Sequence, residues 1–414
     1  MALHLVSTKC YNYLTLSTKI EIYMFIKRLF WQNLIEEAWQ RKNIIWLMGV
    51  RRVGKTSLCK SINDIHYFDC ERPRVRALMA DPEDFLNSQA NKRIVLDEIH
   101  RLDNPSEMLK IAADHYPTVK IIATGSSTLG ASAKFKDTLT GRKAEIWLTP
   151  LLLSELELFG NVDIRHRFLY GGLPNFFVQK ELPEGDFKEW IDAYWAKDIQ
   201  ELFKVGKRYS FQKFAELLLA YSGGIFEATK FTGPCEVSRQ TIANYLDILE
   251  ETFVVHIIRP YSSHRATEII TAPKVYGFDT GFGCFARGWR EIRPEDLGFM
   301  WEHCVLNEIN GKLQTRDIHY WRDKRGHEID FILKDRNDNS ITVIECKYSS
   351  LSIISNPSQL SLISKNIKAF RQIYPNGKNF IVSTDIDMPI TKEHDGNKII
   401  FVNIENLIKF ISNN

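Results

Sequence analysis

"IIWLMGVRRVGKTSLCKSI", from Ile44 to Ile62, is an apolar run, a loop bounded by glycines, and then a helix-forming segment. Gly49, Gly54, Lys55 and Thr56 stand at the spacing G-x-x-x-x-G-K-[ST]. Each residue type has a physical reason to be there. Glycines let backbone N–H groups curl around a phosphate, and the start of the next helix adds its positive end. Lys55 can reach the β and γ oxygens of a nucleotide, and Thr56 brings a hydroxyl to Mg²⁺. The whole loop is therefore the expected cradle for ATP: Gly49, Val50, Arg51, Arg52, Val53, Gly54, Lys55, Thr56 and Ser57.

Two later strands complete this reading. "RIVLDEIHRL" is an apolar run ending in Asp97 and Glu98. An Asp at a strand end can hold Mg²⁺ through water, and the following Glu can polarise the attacking water as a general base. "VKIIATGSS" ends in a polar tip, where Thr124 or Ser126 would report the γ-phosphate, or simply cap the next helix. "TLTGRKAEIWLTPLLLSEL" offers Arg142 as a candidate arginine finger, a group that usually works across a subunit interface.

The series GVRRVGKTS, LDEIH, ATGSS, LTGR and "YGGLPNFF" (Tyr170 to Phe177) resembles the AAA+ ATPases of bacteria and archaea that carry a C-terminal domain long described as of unknown function. Val50 stands where members of that group usually have Pro, a change with no obvious chemical cost. The resemblance spans nearly the whole chain. It implies an oligomer and strengthens the assignment of Arg142.

Composition sets outer limits. The chain has 414 residues, enough for two or three cores, with 44% apolar and 25% charged residues. A net charge of +3 does not by itself point to nucleic acid. Seven cysteines without a CxxC pair suggest buried free thiols rather than disulfides or zinc. No apolar run is long enough to span a membrane, so the expected location is the cytoplasm. Near the N-terminus, Ile22, Phe25, Ile26, Leu29 and Phe30 fall at helical spacing and predict an amphipathic helix.

The middle of the chain reads as helices. "FQKFAELLLAYSG" is one, and Ser238 is a plausible cap for another with an apolar stripe of Ile242, Tyr245, Leu246 and Leu249. "TFVVHIIRP" follows as a strand. Helix, turn, helix, strand is winged-helix grammar, with Arg239, Gln240 and Asn244 on the exposed face. Glu201 to Glu268 holds eight Lys/Arg and eight Asp/Glu, so DNA contact and protein packing stay equally open.

The last third poses a question of chemistry. "EIDFILKDRNDNSITVIECKY" (Glu328 to Tyr348) predicts two strands joined by a polar turn, yet Asp330, Glu345 and Lys347 interrupt the apolar runs. Period-two alternation puts Glu345 and Lys347 on one face. With Glu302 on the preceding helix, these are the residues of a PD-(D/E)XK nuclease. Asp330, Glu345 and Glu302 would hold Mg²⁺, or Mn²⁺, through oxygen, and Lys347 would orient water or neutralise charge. The plainer reading of Glu345 and Lys347 is an ion pair at a strand end. Glu328 is a carboxylate without an assigned role, and Tyr320, Trp321 and Arg322 read as core and rim of the sheet. The C-terminal domain of the ATPase group named above is similar to archaeal Holliday-junction-resolvase-like nucleases, which agrees with this reading.

The expected architecture is α/β throughout: a P-loop AAA+ ATPase domain with a helical lid over residues 1–200, a winged helix over 201–268, and a PD-(D/E)XK, restriction-endonuclease-like domain over 269–414. The expected function is an ATP-hydrolysing, DNA-processing homo-oligomer acting on branched or single-stranded DNA. Two alternatives stay open: a DNA-binding or branch-migration ATPase whose nuclease fold does not cut, and a regulatory ATPase whose winged helix contacts protein.

Overall fold

Five short strands carry the nucleotide-binding part: β1 (Ile44–Met48), β2 (Ile65–Asp69), β3 (Arg93–Asp97), β4 (Lys120–Thr124) and β5 (Lys143–Trp147). All pair in parallel, in the order β2-β3-β4-β1-β5. The near-continuous apolar runs of β1, β3 and β4 suit central strands covered on both faces. The computed structural model describes residues 26–125, 138–200, 203, 205–263, 271–335 and 340–412.

Helix α1 (Leu29–Arg41) packs on this sheet through Trp31, Ile35, Ala38 and Trp39. This corrects the predicted stripe: Ile26 and Leu29 are exposed, Ile26 precedes the helix, and Ile22 and Phe25 lie outside the described residues. The cause is Arg28. Its buried guanidinium grips Glu155 with two 2.7 Å bonds and the Val53 carbonyl at 3.2 Å, and its backbone, at φ −89° and ψ 80°, stands outside the helix that follows. Removing one partner of such a buried pair typically costs about 3–5 kcal/mol. Helix α2 (Lys55–Lys60) follows the P-loop directly.

The middle segment has the order α3 (Arg208–Ala220), β6 (Gly224–Ile225), α4 (Thr229–Cys235), α5 (Arg239–Glu251), β7 (Val255–Pro260) and β8 (Lys274–Gly277). Ser238 caps α5 by accepting from the Thr241 amide, and Ile242, Tyr245, Leu246 and Leu249 form its buried face, as the spacing predicts. Arg239, Gln240 and Asn244 are exposed.

The sheet does not stop at residue 268. Strand β8 pairs with both β6 and β7, and β7 also pairs in parallel with β9 (His319–Arg322). From there β10 (Glu328–Lys334), β11 (Ile341–Cys346), β12 (Asn379–Val382), β13 (Ile390–His394) and β14 (Asn397–Val402) complete a nine-stranded sheet, ordered β13-β14-β12-β11-β10-β9-β7-β8-β6. Helix α6 (Leu297–Leu313) lies in the core on one face, and α7 (Pro357–Arg371) covers the other. Helix α8 (Ile404–Ser412) closes the described chain.

Two locks join the halves. "YGG" at Tyr170–Gly172 meets "DTG" at Asp279–Gly281. Gly172 N–H donates to Asp279 at 2.6 Å, Arg167 pairs with Asp279 at 3.5 Å, and a Cβ on Gly281 would press on the Gly171 backbone. The second lock is α6 itself. Its C-terminal half reaches the segment after β5: Glu308 accepts from the Leu153 amide at 2.6 Å, Asn307 donates to the Pro150 carbonyl at 3.3 Å, and Gln314 bonds both N–H and C=O of Trp147.

Candidate functional site

The P-loop opens on a cleft of about 540 Å³. Gly49 has φ +144°, and a Cβ there would strike the Leu148 carbonyl, so only glycine lets the loop leave β1 this way. Lys55 Nζ rests on the Gly49 carbonyl at 2.8 Å and on that of Val50 at 3.3 Å, curled back over the loop. Burial pushes its ammonium pKa down, against the pull of Glu98, Asp198 and Asp97.

Thr56 Oγ1 donates to Asp97 at 2.8 Å, which joins the two expected Mg²⁺ residues. Thr124 and Tyr67 also donate to Asp97, so this buried carboxylate is held by three hydroxyls. Tyr67 was not visible from the sequence, because only the parallel pairing of β2 with β3 brings it there. Thr124 also accepts from the Glu98 amide at 3.2 Å, while Ser126 lies outside the described residues. Glu98 adopts the left-handed conformation at φ 53° and faces His100 at 3.2 Å. Burial pushes the Glu98 carboxyl up, but the His100 hydrogen bond and the charges of His100, Lys55 and Arg51 outweigh it and hold the pKa low. Glu98 is thus an ionised acceptor at the cleft, as a general base must be.

The helix Glu184–Tyr194 and the wider turn Trp195–Gln200 clamp this loop. Trp190 donates to the Arg51 carbonyl at 3.0 Å, Arg51 pairs with Asp198 at 2.6 Å, and Arg52 pairs with Glu189. Asp198 and Trp190 are site residues that no motif marks.

Arg142 is not brought to the cleft. It precedes β5 at the end of the sheet opposite the P-loop, roughly 15 Å away along a five-residue strand. Its guanidinium grips Asp114 at 2.7 and 3.2 Å on the surface. Within one chain the expected finger therefore points elsewhere.

In the C-terminal half, the hairpin read from the sequence is present. The register pairs Phe331 with Ile344, which makes Asp330 and Glu345 the next facing pair. A bulge between Ile329 and Ile332, against β9, brackets Asp330 and can re-aim its side chain. Asp330 accepts from the Cys346 amide at 2.8 Å, and Glu345 pairs with Lys347 at 3.3 Å. Glu302, on α6, accepts from Tyr276 and lies 3.7 Å from Lys274. Lys274 also pairs with Glu328. Tyr320 and Trp321 are core residues, and Arg322 sits at the rim, 3.6 Å from Glu328.

These groups stand close enough to feel one another's charge. Burial and then the Asp330 charge raise the pKa values of Glu302 and Glu345, while Lys274 and Lys347 respectively pull them back. Burial opposes the charge on Lys347 and Lys274, but the surrounding carboxylates win and keep both protonated. Glu345 is 2% exposed, and its Oε1 has no hydrogen-bond partner among the described residues. Leaving such an oxygen unsatisfied costs about 1–3 kcal/mol or more. A hard divalent cation fits this all-oxygen donor set. Among the described residues no group of three or more His, Cys, Asp or Glu side chains stands where it could hold a metal ion, so the protein offers at most two such ligands here, Asp330 and Glu345. Glu302 in particular is tied to Tyr276 and Lys274 rather than completing a shell with Asp330 and Glu345. Lys274 and Tyr276 escaped the sequence reading, since "APKVYGF" looks like any short strand. A lysine inside that apolar run was the available signal.

Comparisons with known proteins agree with the first site. Residues 41–157 match the family model of an AAA domain, so this part of the chain is an AAA-type P-loop ATPase domain. Residues 161–293 and 297–401 match two domains of unknown function, DUF8612 and DUF4143. An uncharacterized protein of Mycobacterium tuberculosis is 24% identical over 88% of this chain and 83% of its own length. Another, of Methanocaldococcus jannaschii, is 22% identical over 72% of this chain and 73% of its own. Among solved structures, a Walker-type ATPase of Pyrococcus abyssi is 16% identical, covering 63% of this chain and 96% of that one, with TM-score 0.42. The six cysteines among the described residues are free and buried. No helix among them is long and apolar enough to cross a membrane.

Proposed function

We propose that the chain hydrolyses ATP at the P-loop cleft and couples it to a metal-dependent, nuclease-like site acting on branched or single-stranded DNA. The observation that carries the reading is that Asp330 and Glu345 face each other across the hairpin beside Lys347, with the buried Glu345 Oε1 left without a hydrogen-bond partner among the described residues. Burying that much charge is costly unless a ligand uses it.

At the first site, Lys55 would leave the loop carbonyls for the β and γ oxygens, and Thr56 and Asp97 would hold Mg²⁺. Glu98 would take a proton from the attacking water, and Arg142 would act only across a subunit boundary in a homo-oligomer, after releasing Asp114. At the second site, Asp330 and Glu345 would hold Mg²⁺ or Mn²⁺, which supplies charge stabilisation at a phosphate. Lys347, half-held by Glu345, would orient the water. The order α3-β6-α4-α5-β7-β8, with β8 between β6 and β7, supports a winged-helix middle. Its α5 leaves Arg239, Gln240 and Asn244 available for DNA or protein.

One observation favours a second reading, in which the fold binds DNA without cutting: Lys274 and Tyr276 already engage Glu302. Cleavage of labelled linear, single-stranded and four-way-junction DNA with Mg²⁺ or Mn²⁺, with and without ATP, separates the two. Cutting that disappears in Glu345→Ala and Lys347→Ala supports the nuclease. No cutting on any substrate, with ATP hydrolysis still stimulated by DNA, would sink it and leave a DNA-binding motor. ATP hydrolysis indifferent to DNA would favour a regulatory ATPase.

A further inference from the structure

We propose that Lys274 is a built-in cation that makes the acid pocket a one-ion centre, its ammonium standing in for a second divalent ion. The inference rests on the metal-dependent reading above and deepens it.

Lys274 comes from β8, outside the hairpin and helix that supply the other groups. It is 5% exposed, and its Nζ bridges Glu302 on α6 and Glu328 on β10. It lies 5.5 Å over the Tyr320 ring, which further fixes it in place. Tyr276, two residues along the same strand, donates to Glu302. One strand therefore occupies the Glu302–Glu328 side of the pocket with its own donors.

On the other side, Lys347 reaches one oxygen of Glu345, and the second, Oε1, has no hydrogen-bond partner among the described residues. The open seat is thus at Glu345 and its facing partner Asp330, whose charge also acts on Lys274. Arg322 meets Glu328 only at the wet rim, where screening weakens it, so Lys274 is the buried cation on this side. Glu302 and Glu328 are then positioning residues for Lys274, and the ion's ligands are Asp330 and Glu345.

The test is Mn²⁺ binding to the full-length, nucleotide-free protein, followed by electron paramagnetic resonance and calorimetry, with Glu345→Gln as the blank for ions bound elsewhere. Wild type is expected to bind one Glu345-dependent ion. Lys274→Met is expected to bind a second ion, or the first about tenfold more tightly, because a nearby positive charge has been removed. Glu328→Gln, at the partly exposed rim, frees Lys274 to repel the ion and should weaken binding several-fold. If Lys274→Met does not fold, Glu328→Gln carries the test alone. Wild-type stoichiometry and affinity in every folded variant would overturn the role of Lys274 while leaving the metal site standing. No Glu345-dependent ion in wild type would overturn both.

Discussion

The chain holds two sites that each combine acids with lysines, and they are built in opposite senses. The P-loop cleft is open, and among its charged lining residues cations outnumber acids: Arg28, Arg51, Arg52, Lys55, Arg101 and Lys197 against Glu71, Glu98 and Asp198. At the second site Glu345 and Lys274 are buried and acids outnumber bases. The first is suited to a polyanion, the second to a cation. The difference shows most clearly in the lysines. Lys55 rests on two backbone carbonyls that a phosphate can outbid. Lys274 and Lys347 are bound by carboxylates, which raise their pKa values and hold them in place.

The largest expected effect breaks the comparison on the first side. Lys55→Ala should lower ATP hydrolysis at least about a hundredfold, since it removes a preorganised cation from where charge develops. Metal-dependent DNA binding at the second site should survive at low nucleotide. Loss of both together, in a folded variant with an unchanged melting temperature, would mean that the two sites are one.

Next comes the helix between them. Burial pushes the Glu308 carboxyl from its ordinary 4.5 up to about 7. The folded state therefore holds a proton that the unfolded chain gives up earlier. The sign is that Glu308 costs nothing below pH 4.5, and its penalty grows as the pH rises to about 7, reaching about 3 kcal/mol. Glu308→Gln keeps an acceptor for the Leu153 amide without the charge. It should melt with wild type near pH 4.5 and above it at pH 8; parallel melting curves across that range would show that the carboxyl is not perturbed.

Gly311→Val sharpens the same point. A Cβ there would stand 2.8 Å from Leu152 Cδ2 and Thr149 Oγ1, so overpacking should destabilise the junction by about 1–3 kcal/mol. Stimulation of ATP hydrolysis by DNA should fall more than basal hydrolysis does. Equal losses would argue against α6 as the connection.

The smallest effect concerns Arg142. Arg142→Ala should leave the melting temperature and ATP affinity unchanged, because the side chain is on the surface and remote from the cleft. If hydrolysis drops, and mixing with Lys55→Ala subunits restores it, Arg142 is a finger in trans. Wild-type hydrolysis would retire it.

Local spacing made the ATP cleft legible. Lys55 and Thr56 open α2 just after β1, and Asp97 and Glu98 stand at the end of β3; the parallel order of those strands places them together, so the strand pattern nearly implies the site. The hairpin of β10 and β11 was equally readable, because alternation is a property of neighbouring residues. Arg142 looked better than its location, since the sequence does not show that it lies at the far end of β5. The helix stripe near the N-terminus shifted for a similar reason: the buried Arg28–Glu155 pair joins residues 127 positions apart and anchors the residue just before α1.

Residue types and their spacing determined the P-loop, its Asp-Glu partner and the carboxylates of the hairpin, because each depends on backbone geometry over a few residues. Only the folded chain decided that β7 joins β9, that α6 spans from Glu302 to the segment behind the P-loop, and that Lys274 enters the acid pocket from a strand more than fifty residues before Asp330. The physical reason is that buried charges must find partners, and in a nine-stranded sheet those partners come from strands far apart in sequence.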